Sequence, residues 1–237
     1  MNSDRYFDVV VAGGGIAGVS AALAAARGGA KTCIIEKGVM LGGLATAGLI
    51  VLYLPLCDGG GSQVIAGIGE ELLKLSLKYD TVNRIPACWQ DSSDPEGRKK
   101  ERYTVQFNPH LFVIAMEELL LSEGVEIIFD SVVTNTAVEE GRIKSVLIHN
   151  KSGDITVSGK TFVDATGDAD LCALAGEDTA VYRQNRLASW NYLFDGENYV
   201  LNKLATLYNS QVAEGERVYD GVNYLDVTQS ILDSRQM

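Results

Sequence analysis

Residues 7–11 (FDVVV) make a short, largely apolar run that stops at a cluster of glycines, the pattern of a strand buried on both faces of a sheet. Residues 16–27 (IAGVSAALAAAR) are alanine-rich and hold no proline, which predicts a helix, and Gly28-Gly29 ends it. Residues 31–36 (KTCIIE) predict a second strand. The chain then turns small and strongly apolar at 44–56 (LATAGLIVLYLPL). A glycine loop follows, Asp58-Gly59-Gly60-Gly61-Ser62, a connector or a lid.

Leu72, Leu73, Leu75 and Leu77 give residues 69–79 a helical spacing. Residues 81–102 are polar, contain Pro86 and Pro95, and end in the charge run Arg98-Lys99-Lys100-Glu101-Arg102. They read as a solvated loop or hairpin tip. Residues 103–107 alternate and predict a strand. Asn108 caps a helix led by Pro109, which runs to about Ser122 and ends before Gly124. A strand at 125–129 precedes a meander of 132–138, 143–149 and 155–158, joined by Glu140-Gly141 and Ser152-Gly153-Asp154 turns. A further strand at 161–164 ends in Ala165-Thr166-Gly167. After Gly176 the character changes: 180–194 predict strands, and 198–213 and 222–237 predict helices. The pattern is α/β with a parallel sheet. One domain covers 1–176 with an insert at about 49–107, and a second part covers 177–237.

A chain of 237 residues, 46% hydrophobic and 22% charged, buries enough surface to need no staple. Its net charge of −11 argues against nucleic acid or an anionic membrane as partner of the bulk surface and gives no support to a strongly anionic substrate; the partner expected is a small-molecule substrate. The opening MNSDRYF runs straight into the first strand with no charged-then-apolar segment, and no apolar stretch reaches about 18 residues, so a cytoplasmic protein is expected. Cys33, Cys57, Cys88 and Cys172 form no C-x-x-C pair, and most are expected to be reduced and structural; a redox role for Cys57 would need a lowered pKa and a resolving partner. His110 and His149 stand in no triad or metal-ligand spacing. No metal site and no catalytic acid or base is assigned.

The chemistry concentrates where the first strand meets its helix. Gly13, Gly15 and Gly18 fit G-x-G-x-x-G. Gly13 serves the tight turn, Gly15 the approach of a pyrophosphate, and Gly18 the packing of helix on strand. The helix N-terminus offers unpaired N–H groups and a partial positive charge to an anion. Glu36 follows Gly15 by 21 residues, near the roughly 20 expected of a carboxylate that bonds a ribose hydroxyl. It would repel a 2′-phosphate, which disfavours NADP. Strand, turn, helix, second strand and acid together predict dinucleotide binding.

Two later motifs narrow the class. Gly42-Gly43 closes EKGVMLGG just after Glu36, and Ala165-Thr166-Gly167-Asp168 ends the strand at 161–164. With these motifs the chain resembles the FAD-dependent oxidoreductases of the glutathione-reductase-like superfamily, over roughly residues 5–180. Residues 63–73, 105–129 and 163–176 extend the similarity. The resemblance implies a Rossmann-like FAD-binding domain with a crossover β-meander and part of a second, substrate-side domain. It implies a tightly bound FAD that performs hydride or electron transfer. Gly13, Gly15, Ile16, Ala17 and Gly18 would meet the diphosphate, and Glu36 with Lys37 the adenosine ribose. Gly42 and Gly43 would form the turn beside the diphosphate, and Val132 and Val133 would hold the adenine. Ala165, Gly167 and Asp168 would serve the diphosphate and ribityl side, and Ala45, Thr46, Ala47 and Gly48 would face the flavin ring.

Two alternatives stand beside this reading. One is an NAD-dependent dehydrogenase, against which the glycine doublet and the A-T-G-D motif argue; the other is a non-catalytic FAD-binding scaffold. The last segment, VNYLDVTQSILDSRQM, keeps its apolar spacing to the end without a C-cap. Nothing after Asp168 resembles the late glycine-rich turn of such flavoproteins. The expectation is an N-terminal fragment of a longer protein, or else a short paralogue completed by a partner subunit.

Overall fold

A computed structural model describes residues 5–90, 93–181, 183–186, 188–194, 196–197, 199–205, 212 and 214–236. The chain divides into two compact units, Met1–Asp178 and Thr179–Met237.

The first unit runs β1 (Arg5–Ala12), α1 (Ile16–Arg27), β2 (Thr32–Ile35), β3 (Leu52–Tyr53), α2 (Ile68–Leu75), α3 (Ala87–Gln90) and α4 (Pro95–Lys100). It continues β4 (Val105–Gln106), α5 (Pro109–Ser122), β5 (Glu126–Ile128), β6 (Val132–Glu139), β7 (Arg142–Asn150), β8 (Gly153–Asp164) and α6 (Asp170–Leu174). Six strands form one mixed sheet in the order β5-β2-β1-β8-β7-β6. β5, β2, β1 and β8 are parallel neighbours, while β8, β7 and β6 form the antiparallel meander. Alternate residues of the central strands serve opposite cores. Val11 and Ile34 join Val19, Leu23, Phe112, Met116 and Leu120 on one face. Val10, Ala12, Cys33 and Ile35 join Val146, Ile148, Val157 and Leu171 on the other. Both faces are covered, which is why β1 and β2 read as continuous apolar runs rather than as alternation.

The expected break between strands at 155–158 and 161–164 does not occur. β8 is continuous: Val157 and Ser158 pair with β7 on one side and with β1 on the other. Gly159 sits mid-strand because a Cβ there would stand 2.8 Å from Val10 Cγ2. The glycine marks a crowded crossing, not a turn.

The polar stretch 81–102 is also not a plain loop. It folds into α3 and α4, with Asp94 capping α4 by accepting from Gly97 N at 2.8 Å. Trp89 stacks on Tyr103 at 4.8 Å, Arg98 lies over the Trp89 ring, and both rings join Leu56, Cys57, Leu73, Cys88 and Val105 in a third core. Arg98 is drawn in by its stacking and by its bond to Cys88 O at 2.8 Å. The predicted strand at 103–107 shrinks to β4, paired only with β3. Asn108 caps α5 as expected, accepting from His110 N and Leu111 N.

In the second unit, β9 (Ala188–Phe194) and β10 (Tyr199–Ala205) form an antiparallel hairpin, and α7 (Tyr224–Gln236) follows. The helix expected over 198–213 is replaced by β10 across 199–205, because pairing with β9 satisfies its backbone; residues 198, 206–211 and 213 lie outside the described residues. Among the described residues no helix is long and apolar enough to cross a membrane.

Candidate functional site

The carboxyl ends of β1, β2 and β8 open into a cavity of about 670 Å³. From β1 the chain passes to β2 on one side, and β8 lies on the other. The crevice therefore stands where strand order reverses, the usual ligand position in open α/β sheets.

The turn between β1 and α1 forms its floor. Gly13 has φ +102°, and a Cβ there would stand 2.9 Å from Thr166 Cα and nearer still to the Ala165 carbonyl. Gly18 packs its Cα face against Gly13 and Ala165, and does not line the cavity. Gly15 differs from both. Its φ of −65° and ψ of 175° suit any residue, and a Cβ there would meet no atom within 4 Å. Nothing inside the protein needs glycine at Gly15; its missing side chain leaves free volume in the cavity. Gly15 is also the N-cap of α1, with no side chain capping it and no acid in the first turn. The helix presents unpaired N–H groups and its positive end to the cavity.

Glu36, just past β2, is pinned at both oxygens: Gly14 N donates to Oε2 at 2.7 Å and Gly38 N to Oε1 at 2.6 Å. Each oxygen keeps acceptor capacity. Gly42 is tied to the first turn, its N–H donating to Gly14 O at 2.8 Å. The glycine doublet thus lies across the Gly13–Gly15 turn. Ser131 N donates to Glu36 O at 3.1 Å, which brings Val132 and Val133 to the Glu36 end. On the far side, Ala165 N donates to Ala12 O at 2.8 Å. Burial pushes the Asp164 carboxyl up, but the donors of Thr166 and Cys172 outweigh it and leave the group below the usual carboxylate value.

The cavity wall brings together Gly13, Gly15, Ile16 and Ala17 from the first turn and Glu36 and Lys37 from the end of β2. It adds the doublet Gly42-Gly43, Val132 and Val133 from β6, and Ala165 and Gly167 from beyond β8. Ala45, Ala47 and Gly48 also line it. Thr46 does not: its side chain turns inward and donates to Leu41 O at 2.5 Å. Asp168 is exposed and off the wall, while Asp170, two residues on, lines it. Sequence reasoning missed Asp170, Ser131, Thr166, Leu44, Ala12 and Ile35. Ala12 and Ile35 were legible as the last residues of strands ending at the crevice; the others depend on how loops fold back. Cys57 lies in the third core, its Sγ accepting from Tyr103 N at 3.4 Å. Asp58 ties the glycine loop into a turn, accepting from Gly60 N at 2.6 Å and Ser62 N at 3.1 Å.

A family profile described as "FAD dependent oxidoreductase" matches residues 8–224. Among solved structures, the chain is similar to L-proline dehydrogenase from P. horikoshii, at 16% identity and a TM-score of 0.51, over 77% of this chain and 59% of that one. It is similar to L-amino acid deaminase from Proteus vulgaris, at 16% identity and a TM-score of 0.52, over 80% of this chain and 55% of that one. A third is the glycerol-3-phosphate dehydrogenase from Bacillus halodurans complexed with FAD, at 17% identity and a TM-score of 0.50, over 76% of this chain and 38% of that one. At these identities the likeness is one of fold. The chain spans less than two thirds of the length of each of these structures.

Proposed function

The chain belongs to the FAD-dependent oxidoreductase family, and from that premise we propose that the cavity at the carboxyl ends of β1, β2 and β8 holds FAD in an oxidoreductase acting on a small molecule. When bound, the flavin supplies hydride or electron transfer, and the protein supplies binding and orientation. The N–H groups at the start of α1 receive the diphosphate, where the helix dipole favours negative charge. Glu36, already held by Gly14 and Gly38, accepts from the adenosine ribose and disfavours a 2′-phosphate. Lys37 flanks it on the rim. Val132 and Val133 give the adenine an apolar wall, and Gly42-Gly43 gives the diphosphate a side wall without side chains. Ala45, Ala47 and Gly48 line the part assigned to the flavin ring. Of the carboxylates after Gly167, Asp170 on the wall is the better placed for the ribityl side than Asp168.

The observation that carries this reading is Gly15. It is a glycine with ordinary dihedral angles, facing empty volume at an uncapped helix N-terminus. Such a position is explained by a ligand that needs the backbone close. The test is the visible spectrum of the purified chain before and after incubation with FAD, with the mass of whatever denaturation releases. A flavin spectrum and an FAD mass are expected. A chain that stays colourless with excess FAD, and melts higher with NAD instead, overturns the assignment.

A further inference from the structure

We propose that Asp164 is a positioning residue of this cavity. Its carboxylate fixes the turn at 165–167, and that turn sets the shape of the glycine turn assigned to the diphosphate. The inference rests on the reading of the cavity as the FAD site.

Asp164 is the last residue of β8 and is not itself on the cavity wall. Its Oδ1 accepts from Thr166 N at 3.0 Å and from Thr166 Oγ1 at 2.8 Å. Its Oδ2 accepts from Cys172 N at 2.9 Å, inside the first turn of α6. Thr166 Oγ1 accepts in turn from Asp170 N at 2.9 Å. Ala169 precedes α6 in a left-handed conformation and offers no capping side chain. Asp164 and Thr166 therefore supply, from the end of the strand, the acceptors that a helix start normally finds in its own N-cap. One carboxylate thus ties together the strand end, the turn and the helix that carries Asp170.

The turn so held presses on the glycine turn. Ala165 N bonds Ala12 O, the Ala165 carbonyl and Thr166 Cα leave no room for a Cβ on Gly13, and Ala165 Cβ lies 3.3 Å from where one on Gly18 would stand. A displacement of a few tenths of an ångström at 165–166 is therefore passed to Gly13, because close-packed backbone cannot absorb it. Glu36 holds the same glycine turn from the other side through Gly14 N. The diphosphate cradle is clamped between two carboxylates. Sequence reading saw only Glu36.

An ionised carboxylate is needed because every partner is a donor. The amide of Asp164→Asn sets an N–H₂ against one of these donors while changing little volume. A control is available in the first half of β1, away from the carboxyl end that opens into the cavity. Asp8 also accepts a backbone N–H, from Lys31 at 2.9 Å, and pairs with Lys160 at 2.6 Å, but lies off the cavity wall.

The test is FAD titration of the apo chain by flavin fluorescence, with melting temperature and amide hydrogen exchange measured on the same samples. Asp164→Asn is expected to raise the FAD dissociation constant about tenfold and to speed exchange at Thr166 and Cys172, whereas Asp8→Asn leaves the dissociation constant within about twofold. Thr166→Val, which keeps the carboxylate but removes one donor to it together with the acceptor of Asp170 N, is expected to act in the same direction. Thr166→Ser, which restores the hydroxyl, is expected to recover wild-type affinity. These two variants carry the test if Asp164→Asn does not fold. Wild-type affinity in Asp164→Asn or in Thr166→Val, or equal weakening by Asp8→Asn at an equal loss of melting temperature, overturns the inference. If the wild type binds no FAD, the reading of the cavity falls instead. Exchange then still decides the fixing role: unchanged protection in Asp164→Asn overturns it, and faster exchange upholds it.

Discussion

Three glycines of one motif answer to different physical demands. Gly13 is required by the fold, since its φ is positive and its Cβ would strike the Ala165–Thr166 backbone. Gly18 is required by packing. Gly15 is required by neither. Gly15→Val is therefore expected to leave the apo melting curve within about 0.5 kcal/mol of wild type, and to weaken FAD binding by about 100-fold because the side chain occupies the cradle. Gly13→Ala is expected to destabilise the apo protein itself by about 1–3 kcal/mol. Thermal melts and FAD titration of both variants check this. If Gly15→Val lost as much stability as Gly13→Ala, Gly15 would be a structural glycine and the argument drawn from it would fail. The motif spacing was legible because glycine positions and the Glu36 interval depend only on local geometry. The inward turn of Thr46 and the contacts of Asp164 were not legible because they depend on which carbonyl or N–H lies beside each side chain after folding.

At the scale of elements, strands buried on both faces and the capped α5 could be read directly. Their signals are apolar continuity and an Asn-Pro start, both local. β8 could not, because Gly159 carries two opposite meanings. In a hairpin it permits a turn; inside a sheet it relieves a collision. Gly159→Ala is expected to lower stability by about 1–3 kcal/mol through overpacking against Val10, with the far-UV spectrum kept, as chemical denaturation would show. A neutral Gly159→Ala would mean that the Val10 side chain gives way and that the crowding does not require glycine there. The segment 81–102 was misread because its polar residues face water while Trp89 and Cys88 enter a third core with Tyr103. A single aromatic among charges gives no periodicity, and its partner lies 14 residues away in sequence. β10 was misread because its leucine spacing suits a helix and only β9 made it a strand.

For the whole molecule, the charge pattern predicts a stability plateau bounded on both sides. Lys160, Lys74, Arg27 and Lys78 hold Asp8, Glu70, Glu71 and Glu118 below their ordinary values of 3.8 for Asp and 4.5 for Glu. A carboxyl depressed by folding contributes stability above its unfolded value and loses it as pH falls through the folded one. Burial raises Glu117, which works in the opposite sense and is outnumbered. At the alkaline end, burial pushes the Cys33 thiol from 9.0 to about 12. Burial, with the bond to Glu70, pushes Tyr103 from 10.0 to about 12. Groups raised by folding contribute fully below their unfolded values and lose that contribution as pH climbs toward the folded ones. The melting temperature is expected to be flat from about pH 5 to 9 and to fall on either side. A melting temperature that rose below pH 4 would contradict the ion pairs. Most of these pairs are exposed, so added salt should blunt the acid arm but not the alkaline one, which rests on burial.

The sequence by itself determined the α/β class, the βαβ start and the glycine and acid spacing, all of which follow from side-chain periodicity and short-range backbone constraints. It also determined most of the cavity wall, because a strand's last residues are placed at the crevice by the sheet. Tertiary structure alone decided the rest. It laid Gly42-Gly43 across the first turn through a backbone bond to Gly14, turned Thr46 inward and brought Asp170 to the wall in place of Asp168. It also set the Asp164 carboxylate against the N–H groups of Thr166 and Cys172. Some of these contacts join groups far apart in the chain, as Gly42 and Gly14 are, and others only neighbours, as Thr46 and Leu41 are; all form where donors leaving water must find acceptors, and no local pattern of hydrophobic and polar residues encodes which acceptor that will be.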